Sequence, residues 1–396
     1  MIKRDSINSI QRLGKLFPVI VVTGPRQSGK TTLIKDYFKG YEYFNLENPT
    51  TLRMISVDIN SFIRNHHKKV IFDEIQRLPE LLSYIQVFSD EQSMKQNFIL
   101  SGSENLLISE KVNQSLAGRA AYMVLLPLSL SELSDDKLIA ESYLTQIIKG
   151  FYPAIYKNKM TVDEVGLYYD EYIATYIERD VRQIKNVVNL NHFRNFLGLL
   201  SGRIGQILDK VSIGNDVGVS SSTIEEWLSL LEASYQAVRL RPYYENFGKR
   251  FIKSPKIYFV DTGVASRLMN IDNEKELQDH FARGNLFENM CIMEIKKFID
   301  NYKLSTDLYY LRSNRGDEVD LVIDKGASKI FVEIKSSSTV SSDHLSGIRY
   351  WKDVMTQKGS VVEKSFVIYD GETLSTSECE YVNWRDLSAI TSAVMK

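Results

Sequence analysis

The chain has 396 residues, 25% of them charged, and a formal net charge of −1. That length exceeds one ordinary core and calls for two to three domains, while the near-neutral balance excludes a globally basic coat for nucleic acid but not a local basic face. Two widely separated cysteines, Cys291 and Cys379, exclude a disulfide framework or a zinc spacing, and the apolar runs at 16–22 and 120–130 are too short, or too broken by Pro127, to span a bilayer; a soluble cytoplasmic protein with no membrane partner is expected.

The first element is PVIVV (18–22), a short β-branched run that reads as a buried parallel strand. It leads into GPRQSGKTTL (24–33), which fits G-x-x-x-x-G-K-[ST], and TTLIKDYF then opens a helix. Strand, glycine loop and helix in that order form the setting of a phosphate-binding loop. Gly24 and Gly29 permit backbone angles that let amides face phosphate, and the helix N-terminus adds partial positive charge. The segment Gly24, Pro25, Arg26, Gln27, Ser28, Gly29, Lys30, Thr31 and Thr32 is therefore the candidate ATP-binding loop. Lys30 is expected on the β/γ-phosphates and Thr31 on Mg²⁺.

A strand and turn are expected at YEYFNLENP (41–49), and another strand at residues 70–72. The latter closes on Asp73 and Glu74. Asp73 is placed to hold magnesium, and Glu74 to orient and deprotonate an attacking water. NFILSGSEN (97–105) supplies a further strand ending in Ser101, Gly102 and Ser103, which read as a γ-phosphate sensor or as an ordinary turn. The β-α-β-α-β order implies a three-layer α/β domain with a parallel sheet.

Residues 133–191 read as a charged helical connector, with the tyrosines of LYYDEYIATYIERD (167–180) packing against a core. Three helices follow, at SGRIGQIL (201–208), SIGNDVGV (212–219) and SSSTIEEWLSLLEAS (220–234). Ser221 or Ser222 caps the third, with Glu225 closing a capping box on Ser222. SYQAVRLRPYY and PKIYFVD then alternate like a hairpin, so the set reads as a winged helix-turn-helix. The wing is basic, with Arg239, Arg241, Lys249, Arg250, Lys253 and Lys256 against Glu245, and Tyr243, Tyr244, Phe247 and Phe251 interleaved. That composition suits double-stranded DNA or other nucleic acid. Glu225 and Glu226, near the start of the helix that would enter the groove, repel phosphate, which leaves a protein partner as the alternative.

GNLFENMCIMEIKKF (284–298) reads as an amphipathic helix, LYYLRS (308–313) as a strand, and EVDLVID (318–324) and KIFVEIKSS (329–337) as half-buried strands. Glu333 and Lys335 lie two apart and share a face; a hairpin would bring Asp320 to Glu333. Two such carboxylates hold Mg²⁺, Glu288 adds a third, and Lys335, not a ligand, stabilises developing charge.

Together these segments resemble the AAA+ branch of P-loop ATPases, and more narrowly the archaeal/bacterial family with a DUF4143 C-terminal region. The matching residues are GPRQSGKTTL, YFNLENP (43–49), VIFDEIQRLPEL (70–81), ILSGSEN (99–105), LAGRAAYMVLLPLSLSEL (116–133) and YIERDVRQI (176–184). The resemblance gives Lys30, Thr31, Asp73 and Glu74 the ATPase roles above and puts Ser103 or Ser101 at the sensor position. It makes Arg119, in LAGRA, a finger for a neighbouring subunit's γ-phosphate in a homo-oligomer; the alternative is an arginine that orders its own loop. Asp320-x₁₂-Glu333-x-Lys335 with Glu288 resembles the PD-(D/E)XK nucleases, with Val319 in place of the usual proline. The expected layout is an ATPase domain (1–132), a helical connector (133–191), a winged helix-turn-helix (192–275) and an α/β nuclease-like domain (276–396). The expected function is Mg²⁺-dependent ATP hydrolysis coupled to action on nucleic acid. The alternatives are an ATP-regulated endonuclease and a slow nucleotide-switched module that binds protein.

Overall fold

A computed structural model of the chain describes residues 2–92, 97–102, 116–177, 190–243 and 254–395. The chain forms two compact units. The first comprises Met1–Leu128, Ala233–Tyr235 and Asp300–Lys303; the second comprises Ser129–Glu232, Gln236–Ile299 and Leu304–Lys396.

The first unit is built on β1 (Val19–Thr23), β2 (Glu42–Asn45), β3 (Val70–Asp73), β4 (Phe98–Gly102) and β5 (Ala120–Val124). All pair in parallel, in the order β2-β3-β4-β1-β5. β1, β3 and β4 are apolar on both faces because both faces are covered. Val19, Val21, Phe72 and Leu100 pack with Leu81 and Ile85 on one side; Ile20, Val22, Ile71 and Ile99 pack with Ile10, Leu33 and Ile34 on the other. Each such side chain contributes about 1.5–3 kcal/mol by burial. The three-layer parallel domain expected from the motif order is the one observed, and the loops after β1 and β3 emerge at the same end of its sheet.

The second unit carries β6 (Ala237–Pro242), β7 (Lys256–Phe259), β8 (Asp307–Arg312), β9 (Glu318–Asp324), β10 (Ser328–Ile334), β11 (Val361–Tyr369), β12 (Leu374–Ser375) and β13 (Glu380–Asn383). They form one sheet in the order β12-β13-β11-β10-β9-β8-β6-β7. The expected hairpins are present: β6 pairs antiparallel with β7, and β9 with β10. β6 also pairs in parallel with β8, through Arg241 opposite Tyr309 and Pro242 opposite Tyr310. The hairpin read as a wing thus continues the C-terminal sheet.

Several local expectations change. β9 and β10 are buried on both faces rather than one, because they are central strands. The helix Ser346–Gln357 covers one side, setting Ile348, Trp351 and Met355 against Val319, Val322 and Phe331. The helix Arg283–Tyr302 is not amphipathic. Leu286, Phe287, Met290, Cys291, Ile292, Met293 and Ile295 run around its circumference, each 3% exposed or less. Its polar residues find partners inside the unit. Lys297 Nζ donates to Glu294 Oε1 at 2.6 Å, and Asn289 binds both the N–H and the carbonyl of Phe259 at 2.8 Å. The N–H of Gly205 donates to the carbonyl of Ile257 at 3.0 Å, and Ile207 bridges Lys256.

Helices at Leu190–Ser201, Lys210–Val217 and Ser221–Ala233 precede the hairpin. SGRIGQIL does not open a helix; it is the turn that follows Leu190–Ser201. The cap of the third helix is Ser220, whose Oγ accepts the N–H of Thr223 at 3.1 Å. Glu225 pairs instead with Lys210 at 3.0 Å and Arg239 at 2.6 Å. Tyr169 and Tyr172 of the tyrosine cluster pack inward as expected, and Tyr169 donates to the buried Asp261 at 2.7 Å. Cys291 and Cys379 are free and buried. Among the described residues no helix is long and apolar enough to cross a membrane.

Candidate functional site

β1 ends at Thr23, and the glycine loop begins at once. Gly24 has φ 145°, and a Cβ there would lie 2.2 Å from the carbonyl oxygen of Leu125, so only glycine fits. Gln27 and Gly29 also have positive φ, at 61° and 96°. Lys30 starts the helix and folds over the loop, where Nζ donates to the carbonyls of Gly24 at 3.0 Å and Pro25 at 2.7 Å. Ser28 is fully buried and its Oγ has no hydrogen-bond partner. Gln27 and Thr32 face solvent, and Arg26 is half-buried. Arg4, which the motifs did not single out, braces this loop: its guanidinium donates to the carbonyls of Ser28 at 2.8 Å and Leu126 at 2.6 Å.

Asp73 closes β3 and is 3% exposed. Three hydroxyls serve its carboxylate. Thr31 Oγ1 donates to Oδ2 at 2.8 Å, Tyr43 to the same oxygen at 2.7 Å, and Ser101 to Oδ1. Ser101 is fully buried and holds Asp73. Ser103 lies outside the described residues. Glu74 follows in the left-handed region with φ 59° and accepts from Gln76 Nε2. Burial raises its pKa above the ordinary glutamate value, against the pull of Lys30. A carboxylate made more basic in this way suits proton abstraction.

Arg119 is placed elsewhere. It precedes β5 at the sheet end where its carbonyl accepts the N–H of Val19 at 3.3 Å. By strand rise that is about 13 Å from the phosphate loop. Its guanidinium pairs with Asp90 and donates to the carbonyl of Ala117 at 3.0 Å. Within this chain Arg119 orders its own loop, and the fold does not bring it to the phosphate loop.

The second unit has an acidic cavity of 560 Å³, lined by Glu288, Glu318, Asp320, Glu333, Lys256 and Lys335, with Arg312 at its wall. Asp320 Oδ2 accepts the N–H of Ile334 at 2.8 Å and faces Lys335 Nζ at 3.5 Å. Glu333 Oε1 takes Lys335 at 2.6 Å, while its buried Oε2 has no partner. Burial, then Asp320, pushes the Glu333 carboxyl up to about 8. The antiparallel register of β9 and β10 delivers this meeting, as the spacing implied.

Glu288 differs from expectation. It accepts from Lys256 at 3.0 Å and from Tyr258 at 2.5 Å. Among the described residues no group of three or more His, Cys, Asp or Glu side chains is arranged to hold a metal ion. The carboxylates face lysines: Glu288 pairs with Lys256, and Asp320 and Glu333 with Lys335. Lys256 is the second correction: it is not an exposed wing residue but 2% exposed, paired with Glu288 and Glu318. Burial works against its charge, yet the surrounding carboxylates outweigh that and hold its pKa above the usual lysine range. Arg239 is likewise consumed, by Glu225 and Glu232, and Tyr243 is buried against Tyr309. Tyr244, Glu245, Phe247, Lys249, Arg250, Phe251 and Lys253 lie outside the described residues.

Residues 16–134 match the AAA domain family and residues 283–386 match DUF4143, a domain of unknown function. The chain thus carries an AAA-like P-loop ATPase domain at its N-terminus and a DUF4143 domain at its C-terminus. Residues 140–275 match a further domain of unknown function, DUF8612. The protein is 28% identical over 341 residues to an uncharacterized protein of Mycobacterium tuberculosis, covering 86% of this chain and 75% of the relative. It is 22% identical over 396 residues to an uncharacterized protein of Methanocaldococcus jannaschii, covering 90% and 84%. Among solved structures, a Walker-type ATPase of Pyrococcus abyssi aligns over 68% of this chain and 96% of its own, at 14% identity and a TM-score of 0.44.

Proposed function

We propose that the first unit binds ATP with Mg²⁺ and hydrolyses it to ADP and phosphate. The observation that carries this reading is the 2.8 Å hydrogen bond between Thr31, at the end of the glycine loop, and Asp73, at the end of β3. A hydroxyl and a carboxylate that close together are hard oxygen donors of the kind Mg²⁺ takes, so the residues fit the ion. When bound, Mg²⁺ supplies charge neutralisation at the phosphates; Thr31 and Asp73 would hold it. The chain's own residues do the rest. The loop amides cradle phosphate, and Lys30 exchanges the carbonyls of Gly24 and Pro25 for phosphate oxygens. Glu74 takes the proton of the attacking water as the water oxygen bonds to the γ-phosphorus and the bond to ADP breaks. ATP turnover by the full chain, compared with Lys30→Ala and Glu74→Gln, tests this. Unchanged turnover in both variants would sink the assignment.

We infer that hydrolysis is coupled to nucleic acid through the second unit. What favours this is the basic composition of the segment 241–253, where Arg241, Lys249, Arg250 and Lys253 stand against Glu245 alone. ATP turnover that rises with double-stranded DNA and loses the gain with salt supports it. Nicking of supercoiled plasmid that vanishes in Asp320→Ala extends the reading to an ATP-regulated endonuclease. Turnover indifferent to DNA, with a co-purifying protein, favours the nucleotide-switched module instead.

A further inference from the structure

We propose that Tyr43 is a positioning residue of the nucleotide site, its hydroxyl holding the Asp73 carboxylate in the orientation that serves the cation. This rests on the ATPase reading above.

Asp73 has two oxygens and three hydroxyl donors. Ser101 fixes Oδ1; Thr31 and Tyr43 share Oδ2 at 2.8 and 2.7 Å. Of the three, Thr31 is the one whose own oxygen is needed by Mg²⁺. Once Thr31 is engaged there, Tyr43 is the donor left to keep Oδ2 from rotating. The tyrosine is well placed for that task. β2 pairs with β3 so that Tyr43 lies opposite Ile71, and Ile71 shares a face with Asp73 two residues on. The ring is pinned by Lys35, whose Nζ lies 3.8 Å over its centroid. A donor on a strand orients a metal-holding carboxylate more firmly than one on a loop.

The test is Tyr43→Phe in the full-length protein, which keeps the ring and deletes the hydroxyl. Binding of a fluorescent ATP analogue is titrated at rising Mg²⁺, and separately in a chelator. Tyr43→Phe is expected to raise the half-saturating Mg²⁺ concentration roughly tenfold. Chelator-phase binding and the melting temperature should stay at wild-type values. A wild-type Mg²⁺ dependence in the variant overturns the inference while leaving the ATPase reading intact. Equal weakening with and without Mg²⁺ also overturns it, since that marks a merely structural tyrosine. Wild-type protein that binds the analogue without regard to Mg²⁺ fails the ATPase reading itself, and the inference with it.

Discussion

Lys256 of β7 forms ion pairs with Glu288, from the long buried helix, and with Glu318, from β9, and so ties three elements of the second unit together at one ammonium group. The lysine is 2% exposed, and the side chains of Glu288 and Glu318 are 13% and 20% exposed. Replacing Lys256 by Met leaves uncompensated buried charge. A loss of about 3–5 kcal/mol is expected, read as a lower urea midpoint for the full chain. An unchanged midpoint would show that the cavity rearranges freely.

Glu74 sets the pH dependence of the proposed hydrolysis. Its raised pKa means that the protonated, inactive form persists to higher pH than for an ordinary glutamate. Turnover should therefore fall as pH drops through that raised value. Glu74→Gln should lower kcat by about 10²-fold or more and abolish the acid limb, with nucleotide binding retained. A pH–rate profile of both proteins checks this.

Arg4 predicts a link between the N-terminal segment and the phosphate loop. Its side chain is 5% exposed and donates to the carbonyls of Ser28 and Leu126. Arg4→Ala should cost about 2–3 kcal/mol, the scale of hydrogen bonds from a charged group. Nucleotide affinity should fall as well, because Ser28 belongs to the loop. Thermal melts and nucleotide titration of the variant measure the two effects.

Glu333 predicts a slope of stability with pH. Its carboxyl titrates near 8 in the folded chain, against 4.5 for an ordinary glutamate. Between those values the unfolded chain releases a proton that the folded chain keeps. The stability this group contributes is thus fully present below 4.5 and is lost as pH rises toward 8. Glu333→Gln removes the dependence, so the variant should gain on wild type from pH 5 to pH 8 in urea unfolding.

The parallel strands were legible because PVIVV, VIF and FIL are short apolar runs that fit only a sheet covered on both faces. The phosphate loop and Asp73 followed from local chemistry. Tyr43 was half-legible: pairing β2 beside β3 places it on the face of Asp73, but neighbouring order in a sheet is a tertiary fact. Lys256 was misread because a basic residue in a basic run looks solvated. Only the parallel pairing of β6 with β8 reveals that the base of the hairpin lies inside a larger sheet. The helix Arg283–Tyr302 was misread for a related reason. Its Asn289, Glu294 and Lys297 look like an outer face until their buried partners are known.

The amide of Asn289 occupies both the donor and the acceptor of Phe259, and Gly205 and Ile207 take up positions along the same margin of β7. A strand that ends a sheet ordinarily offers a free row of backbone groups on which another chain can build. Here a side chain and a turn already fill that row, at Lys256, Ile257 and Phe259. The sheet is finite by construction at this margin. Protein concentration can rise without β7 acting as a template for strand-by-strand aggregation.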